Sequence, residues 1–503
     1  MSLKKAIVFL LIAAMLSLNF TGCSKDDPDN PDDEGGDDFS GSISGGGDKD
    51  DDDGIEDPSE GDPGDPDMTY YINNAEELKQ IKRYGKYILN ADIDLTGVDW
   101  KPVGTYAAPF SGTLDGNGHS IIGLKVTACE EDSGISLSFK YSYCGMFGVT
   151  ENAEIKNIDF INADINVSSN AVNRTVYAGI LAGYLKNSKI TDCSVSGSVT
   201  AESVNHIASG GGIAGLSDGS TFTECISAAS VTTKNSQVRA ISGGILGMSR
   251  LSSSIVNSSS SGKISSATTI GVAYSGGIVG YCSTTNLELC FSVSEVLSEV
   301  TSASPQTGSR GGAYSGGIVA TTSSANEDTP SSFIRCYSNN VSVKAIGGES
   351  SAYAGGLGAD LGNAKFTDCY SRSPIISSTI SEVVYSGGLF AMISQSSVIK
   401  GCFFTGSITV DVPDLSDAVI GTLAASFPDD EEELEKVIIT CAYRTNTVYT
   451  INGKNYSHTD DVIKTVGTAR ASNIFTTLSL LCEVLGWDQS QWKMENGIPK
   501  PII

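Results

Sequence analysis

The phrase YSGGIVG, residues 274–280, decides how the rest of the chain is read, because it keeps returning. It stands as YCGMFG at 143–148, YAGILAG at 177–183, GGGIAG at 210–215, SGGILG at 242–247, YSGGIVA at 314–320, YAGGLGA at 353–359 and YSGGLFA at 385–391, with a degraded copy, IGTLA, at 420–424. Measured between the last residues of successive copies, the spacings are 35, 32, 32, 33, 40, 39, 32 and 33. A near-constant period of this size marks a repeat architecture.

A second phrase follows at a fixed offset. It reads ITDCSVSGSV (190–199), FTECISAASV (222–231), LELCFSVSEV (287–296), FTDCYSRSPI (366–375) and IKGCFFTGSI (399–408). FIRCYSNNVS (333–342) and IITCAYRTNT (438–447) match after six-residue insertions. Within both phrases apolar residues alternate with small polar ones, which is the strand period, and Gly, Asn and Ser between them supply turns. A unit of two or three short strands cannot bury its apolar side alone, but stacked units bury a continuous core. The expected fold is all-β, a right-handed parallel β-helix or β-solenoid of about nine to ten rungs.

The second phrase aligns Cys193, Cys225, Cys290, Cys336, Cys369, Cys402 and Cys441, with Ile158 and Ser258 at the same place in two copies. Twelve cysteines in an exported chain would suggest disulfides. A ladder of one per rung, however, points parallel side chains inward as small buried hydrophobes. Tetrahedral zinc needs converging ligands, and no CxxC pair exists.

The tyrosines before the glycine pair, Tyr274, Tyr314, Tyr353 and Tyr385, are candidate ligand contacts, since an aromatic stripe could stack on sugar rings. Parity supplies a competing expectation. In a regular strand Tyr274 shares a face with Ile278, and that position is always bulky aliphatic, so the tyrosines would point into the core. A glycine bulge would reverse the register.

Outward from the repeats, the chain begins with Lys4 and Lys5 and an apolar run 13 residues long, 6–18, short for a membrane span and suited to a signal peptide. Phe20-Thr21-Gly22-Cys23 resembles a lipobox, with Phe20 where an aliphatic residue is usual, and implies a lipid on Cys23. Ser24-Lys25-Asp26-Asp27 resembles the surface-export signal of lipoproteins in certain Gram-negative anaerobes, which implies an outer-membrane anchor facing outward. Residues 24–68 hold 19 acidic and 2 basic residues, most of the net charge of −27. Such a segment is expected to be an extended, solvated tether. Asp50–Asp53 lack the ligand spacing of a calcium loop.

The expected layout is signal peptide 1–22, tether 23–68, N-terminal cap and opening rung 69–130, repeat body 131–445 and C-terminal cap 446–503. Asn74 and Glu77 form a capping-box pair for a short helix whose Leu78 and Ile81 cover the N-terminal end. The stretch from Asn473 through Trp487 and Trp492 is expected to close the other end. Extensions at 302–312, 323–332 and 345–351 fall on adjacent rungs and are expected to share one side.

YSGGIVG and CxSxGSV resemble GLUG repeats of secreted bacterial surface proteins, FSGTLDGNGHSIIGL (110–124) resembles the rung that precedes such arrays, and WKMENGIPKPII (492–503) resembles their closing strand. The resemblance implies a β-helix and leaves activity open, since these repeats accompany several functions.

His119, His206 and His458 sit in no HExxH helix, and no GxSxG elbow occurs. Asp92, Asp94, Asp99 and Asp115 are the best carboxylate group for acid–base work, and solvated turns explain them equally. No cofactor motif and no basic nucleic-acid patch is present. The expected role is a lipid-anchored adhesin or binding module for a host glycoprotein or glycan. The alternatives are a β-helix polysaccharide lyase or hydrolase, which needs charged residues converging on one groove, and a passive spacer.

Overall fold

A computed structural model describes residues 64–129, 140–302, 311–323, 329–393, 396–427, 437–465 and 467–502. The signal peptide, Cys23, the export run Ser24–Asp27 and nearly all of the tether lie outside the described residues.

One rung shows the whole design. Strand Ile207–Gly211 is followed by Ala214–Asp218, then by Thr221–Thr223 and Ile226–Asn235, and the next strand, Arg239–Gly243, returns to pair in parallel with the first. Repetition builds sheets of ten, nine and thirty strands, the parallel β-solenoid expected from the spacing. They are called here the tyrosine face, the second face and the long face. Antiparallel pairing occurs in two hairpins near the C-terminus, Tyr449–Ile451 with Lys454–Tyr456 and Trp492–Glu495 with Ile498–Pro501.

The register aligns the repeat phrases residue by residue. Tyr274 pairs with Tyr314, Tyr314 with Tyr353 and Tyr353 with Tyr385. The aliphatic position of the first phrase (Ile213, Ile245, Ile278, Ile318, Leu357, Leu389) is fully buried and joins Ile190, Phe222, Ile255, Leu287, Phe333 and Phe366 from the long face in one core. Each such side chain contributes about 1.5–3 kcal/mol relative to exposure. Phe333 and Phe366 stack with centroids 4.1 Å apart.

The cysteine column lies inward, as parity on the long face predicts. All seven are buried and free, and each thiol donates to a carbonyl one rung back, such as Cys369 to Phe333 at 3.4 Å. The residue before each slot has positive φ: Asn157, Asp192, Glu224, Asn257, Leu289, Arg335, Asp368, Gly401 and Thr440. This left-handed step turns the long face at every rung, and the residue after it, a cysteine in seven of the nine, fills the corner. One disulfide, Cys129–Cys144, had no signal in the repeat pattern; it ties the opening rung to the first repeat phrase.

At the N-terminal end the helix Ala75–Leu78 carries the expected cap. The Asn74 side chain accepts from Glu77 N at 3.0 Å, and the Glu77 carboxylate accepts from Asn73 N at 2.7 Å. Leu78 and Ile81 enter the core.

Two expectations are corrected. The C-terminal stretch does not close the last rung but lies along the side of the solenoid. Helix Leu478–Leu485, Phe475, Trp487 and Trp492 pack over Tyr337, Tyr370 and Phe403. The Tyr370 hydroxyl donates to Pro499 O, Arg335 to Gln491 and Trp487 Nε1 to Gly401 O at 2.7 Å. The cause is an aromatic stack, Phe291–Tyr337–Tyr370–Phe403, on the outside of the long face, which the strap removes from water. The second correction concerns the tyrosines, which do not share the core with Ile278. Strand Val272–Gly276 ends before it, the chain bends at 277–278, and the next strand starts at Val279. Parity restarts at that corner, so Ala273 and Ser275 face in and Tyr274 faces out.

Of the three extensions, residues 303–310 and 324–328 lie outside the described residues. In the third, Gly347–Ser350 form a tight turn, with Ser350 N bonded to Gly347 O at 2.7 Å.

Candidate functional site

The corner after each glycine pair is re-entrant, and glycine makes it so. A Cβ at Gly276 would stand 1.8 Å from Val279 O, and one at Gly316 or Gly387 would stand 1.7 Å from the carbonyl three residues on. The chain folds back so tightly there that the outward columns of two faces converge. The first column runs Tyr143, Tyr177, Ser209, Ile241, Tyr274, Tyr314, Tyr353, Tyr385, Val419. The second is the residue following each phrase, or two places on in the last copy: Val149, Tyr184, Leu216, Met248, Tyr281, Thr321, Asp360, Met392, Ser426. Side chains of both pack together in two clusters apart from the main core. The result is a line of packed side chains running along the axis in the corner between the two faces.

In its C-terminal part the four candidate tyrosines form one ladder. Tyr314 and Tyr353 stack at 4.3 Å, Tyr353 and Tyr385 at 5.1 Å, and Tyr274 meets Tyr314 at 5.1 Å. Tyr274, Tyr314 and Tyr385 are half-buried and Tyr353 is buried. Each ring face is taken by its neighbour, so the ladder offers edges and hydroxyls to a ligand in place of open platforms. Burial raises the pKa of Tyr274, Tyr314 and Tyr353, which keeps these phenols protonated donors. Half-buried Asp360 stands in the second column, in register between Thr321 and Met392; burial pushes its carboxyl up to about 6.

The N-terminal part gathers Tyr106, Tyr141, Tyr143, Tyr177 and Tyr184. Here the carboxylate is satisfied. Asp218 accepts two bonds from Arg250, both 2.9 Å, and one from the Tyr184 hydroxyl at 2.8 Å. Burial pushes the Tyr177 phenol up to about 12. Glu151, Lys186, Asp218 and Arg250 stand in register on successive rungs, so charges alternate along the edge.

The other sequence candidates are spent on local structure. Asp92 caps Ser120 N at 2.9 Å and faces His119 at 3.4 Å, Asp94 holds Thr96 N at 2.8 Å, Asp99 pairs with Lys125 at 3.3 Å, and Asp115 holds Asn117 N at 2.8 Å. His206 bonds to Thr175, and His458 lies edge-on to Tyr443. Among the described residues no group of three or more His, Cys, Asp or Glu side chains is placed to share a metal ion. Asp360, Tyr184 and Tyr281 escaped sequence reasoning, although one signal would have found them: the position directly after each repeat phrase.

No family model matches the chain. A stretch of 118 residues, 21% of this chain, is 30% identical to a protein of Evansella cellulosilytica provisionally named a Gly-rich membrane protein, and the match spans 12% of that protein's length. Among solved structures, a Bacteroides ovatus protein provisionally described as an immunoglobulin A1 protease is similar at 17% identity with a TM-score of 0.36, over 86% of this chain and 92% of that one. An IgA1 protease is similar at 12% identity with a TM-score of 0.33, over 84% of this chain and 24% of its own. Among the described residues no helix is long and apolar enough to cross a membrane.

Proposed function

We propose that this chain is a membrane-tethered surface protein, an adhesin-like solenoid whose tyrosine ladder binds a glycan, free or carried on a host glycoprotein. The observation that carries the reading is the row of in-register phenols, Tyr274, Tyr314, Tyr353 and Tyr385, one per rung. Rungs repeat at about 4.8 Å, and a pyranose advances a linear glycan by a comparable step, so each sugar residue would meet one hydroxyl. The resemblance to GLUG repeats, the lipobox-like Phe20–Cys23 and the acidic run behind it support surface display on a lipid anchor. The name of the Evansella relative points the same way.

The test removes hydroxyls and keeps rings. A triple variant, Tyr274→Phe with Tyr314→Phe and Tyr385→Phe, is compared with the wild type on a glycan array. At least a ten-fold loss of binding is expected, with an unchanged melting curve. Equal binding by the variant, or no glycan bound by the wild type, would remove the reading. Product released from a bound polysaccharide would move the chain to the enzyme class.

A further inference from the structure

We propose that Arg372, Arg444 and Arg470 form an anion site on the outside of the long face, beside the strap, which takes two sulfate or carboxylate groups of one acidic polysaccharide. The tyrosine ladder belongs to another face, and the proposal does not depend on it.

The register builds the row. Tyr370 pairs with Phe403, Phe403 with Ala442 and Ala442 with Thr468, and Arg444 stands directly in register with Arg470. The ladder runs on past the strand ends, with Thr405 N bonded to Ser371 O at 3.0 Å. Arg372, Thr405, Arg444 and Arg470 therefore share one column on four successive rungs. Parity sends them outward, because Phe404 and Tyr443, the residues before Thr405 and Arg444, lie in the main core. Along the axis Arg444 and Arg470 are about 4.8 Å apart, and Arg372 is about 9.6 Å from Arg444. The strap covers the neighbouring column of Tyr370, Phe403 and Ala442, and Arg372 donates to Gly497 O of its hairpin at 3.2 Å.

No acid answers these charges. The chain has 59 acidic residues against 32 Lys and Arg, so partners are plentiful. Elsewhere the fold supplies them: Arg250 holds Asp218 through two bonds of 2.9 Å, and Arg335 reaches Glu288 and Gln491. The carboxylate of the strap hairpin, Glu495, is held by Lys493 and Lys500 at 2.8 and 3.0 Å. Among the described residues no carboxylate forms an ion pair with Arg372, Arg444 or Arg470, and the Nε atoms of Arg444 and Arg470 are buried with no hydrogen-bond partner. Burial and the like charge of Arg444 lower the pKa of Arg372. Donors withdrawn from water without acceptors are costly, and cations in a row repel. An oxoanion relieves both, because its oxygens match the guanidinium fork. Arg444 and Arg470 share one such group, and Arg372 takes a second two rungs away. That interval is close to the advance of one disaccharide in a linear glycan, so a polysaccharide with an anion on every second sugar fits it.

The test is calorimetric titration of the full chain with a heparin octasaccharide, an oligogalacturonate and inorganic phosphate. One or both oligomers are expected to bind at least ten-fold more tightly than phosphate and more weakly as salt rises; which of the two binds tells sulfate from carboxylate. Arg444→Gln with Arg470→Gln is expected to lose at least ten-fold in that affinity with an unchanged melting curve. Arg470→Gln alone, on the edge strand, is expected to lose at least three-fold and gives the reading if the double variant melts early. Lys189→Gln with Lys234→Gln removes the same charge from exposed positions on other rungs and is expected to change the affinity less than two-fold. An equal loss in the lysine variant would reduce the effect to net charge and overturn the site. Phosphate bound as tightly as the oligomers would leave an adventitious ion only, and no binding of either oligomer would remove the proposal outright. The triple Phe variant is expected to bind both oligomers like the wild type, and its failure would move the acidic ligand to the tyrosine ladder.

Discussion

The rings of Tyr314 and Tyr353 lie parallel, 4.3 Å between centroids with 4° between planes, on the outside of adjacent rungs. Two neighbours hold Tyr353 in this way, so its ring carries packing, while its hydroxyl bonds to Ser351 and to the Tyr314 hydroxyl. Tyr353→Phe is therefore expected to leave stability within about 1 kcal/mol, while Tyr353→Ala removes both stacks and costs about 2–4 kcal/mol. Denaturant unfolding of the two variants checks the split.

The re-entrant corner makes a harder demand. A methyl at Gly276 would overlap Val279 O at 1.8 Å, and neither atom belongs to a flexible side chain. Gly276→Ala must open the corner, separating Tyr274 from Tyr281 as well as straining the backbone. A loss of more than about 3 kcal/mol is expected, read as a lowered unfolding midpoint, and a variant as stable as the wild type would show that the corner is looser than described.

The thiol ladder gives a chemical readout of core integrity. Nine cysteines are free and buried, and burial raises the pKa of Cys193, Cys290, Cys369 and Cys402, with Cys282 pushed up to about 12. Thiolates are the reactive species. A thiol-disulfide reagent at pH 8 is expected to label almost none of the nine in the native chain and all of them after denaturation. Fast labelling of Cys369 without denaturant would place that rung at a mobile edge.

The repeat spacing was enough to read the solenoid, its period and its inward cysteines, because register in a stacked array is a one-dimensional property. The helix cap at Asn74 and Glu77 was equally legible, being local. What escaped depends on three-dimensional turns. Parity assigned Tyr274 to the core because it assumed one straight strand through Ile278, whereas the glycine pair bends the chain between them. The strap over Tyr370 was invisible for a related reason: contacts such as Arg335 to Gln491 join distant parts of the chain that no period connects.

That strap should respond to pH, and the direction follows from Asp368. This carboxyl sits at the corner before Cys369, against Gly401, whose carbonyl receives Trp487 Nε1. Burial pushes it up to about 6, opposed by Lys400 and Arg335. With the strap released, water reaches the group and its pKa returns toward about 3.9. The docked state thus holds the proton more tightly. Docking is strongest below about pH 4, weakens as pH rises toward about 6, and is constant above, where both states are ionised. Because the group is partly solvated, the whole effect is on the order of 1 kcal/mol. Asp368→Asn should abolish the slope and hold the strap more firmly at pH 7. Two of the three tryptophans, Trp487 and Trp492, lie in the strap. Acrylamide quenching of their fluorescence between pH 4 and pH 7 therefore follows docking directly. Quenching that increases with pH in the wild type and stays flat in Asp368→Asn is the expected result, and an identical slope in both would shift the pH response to another group.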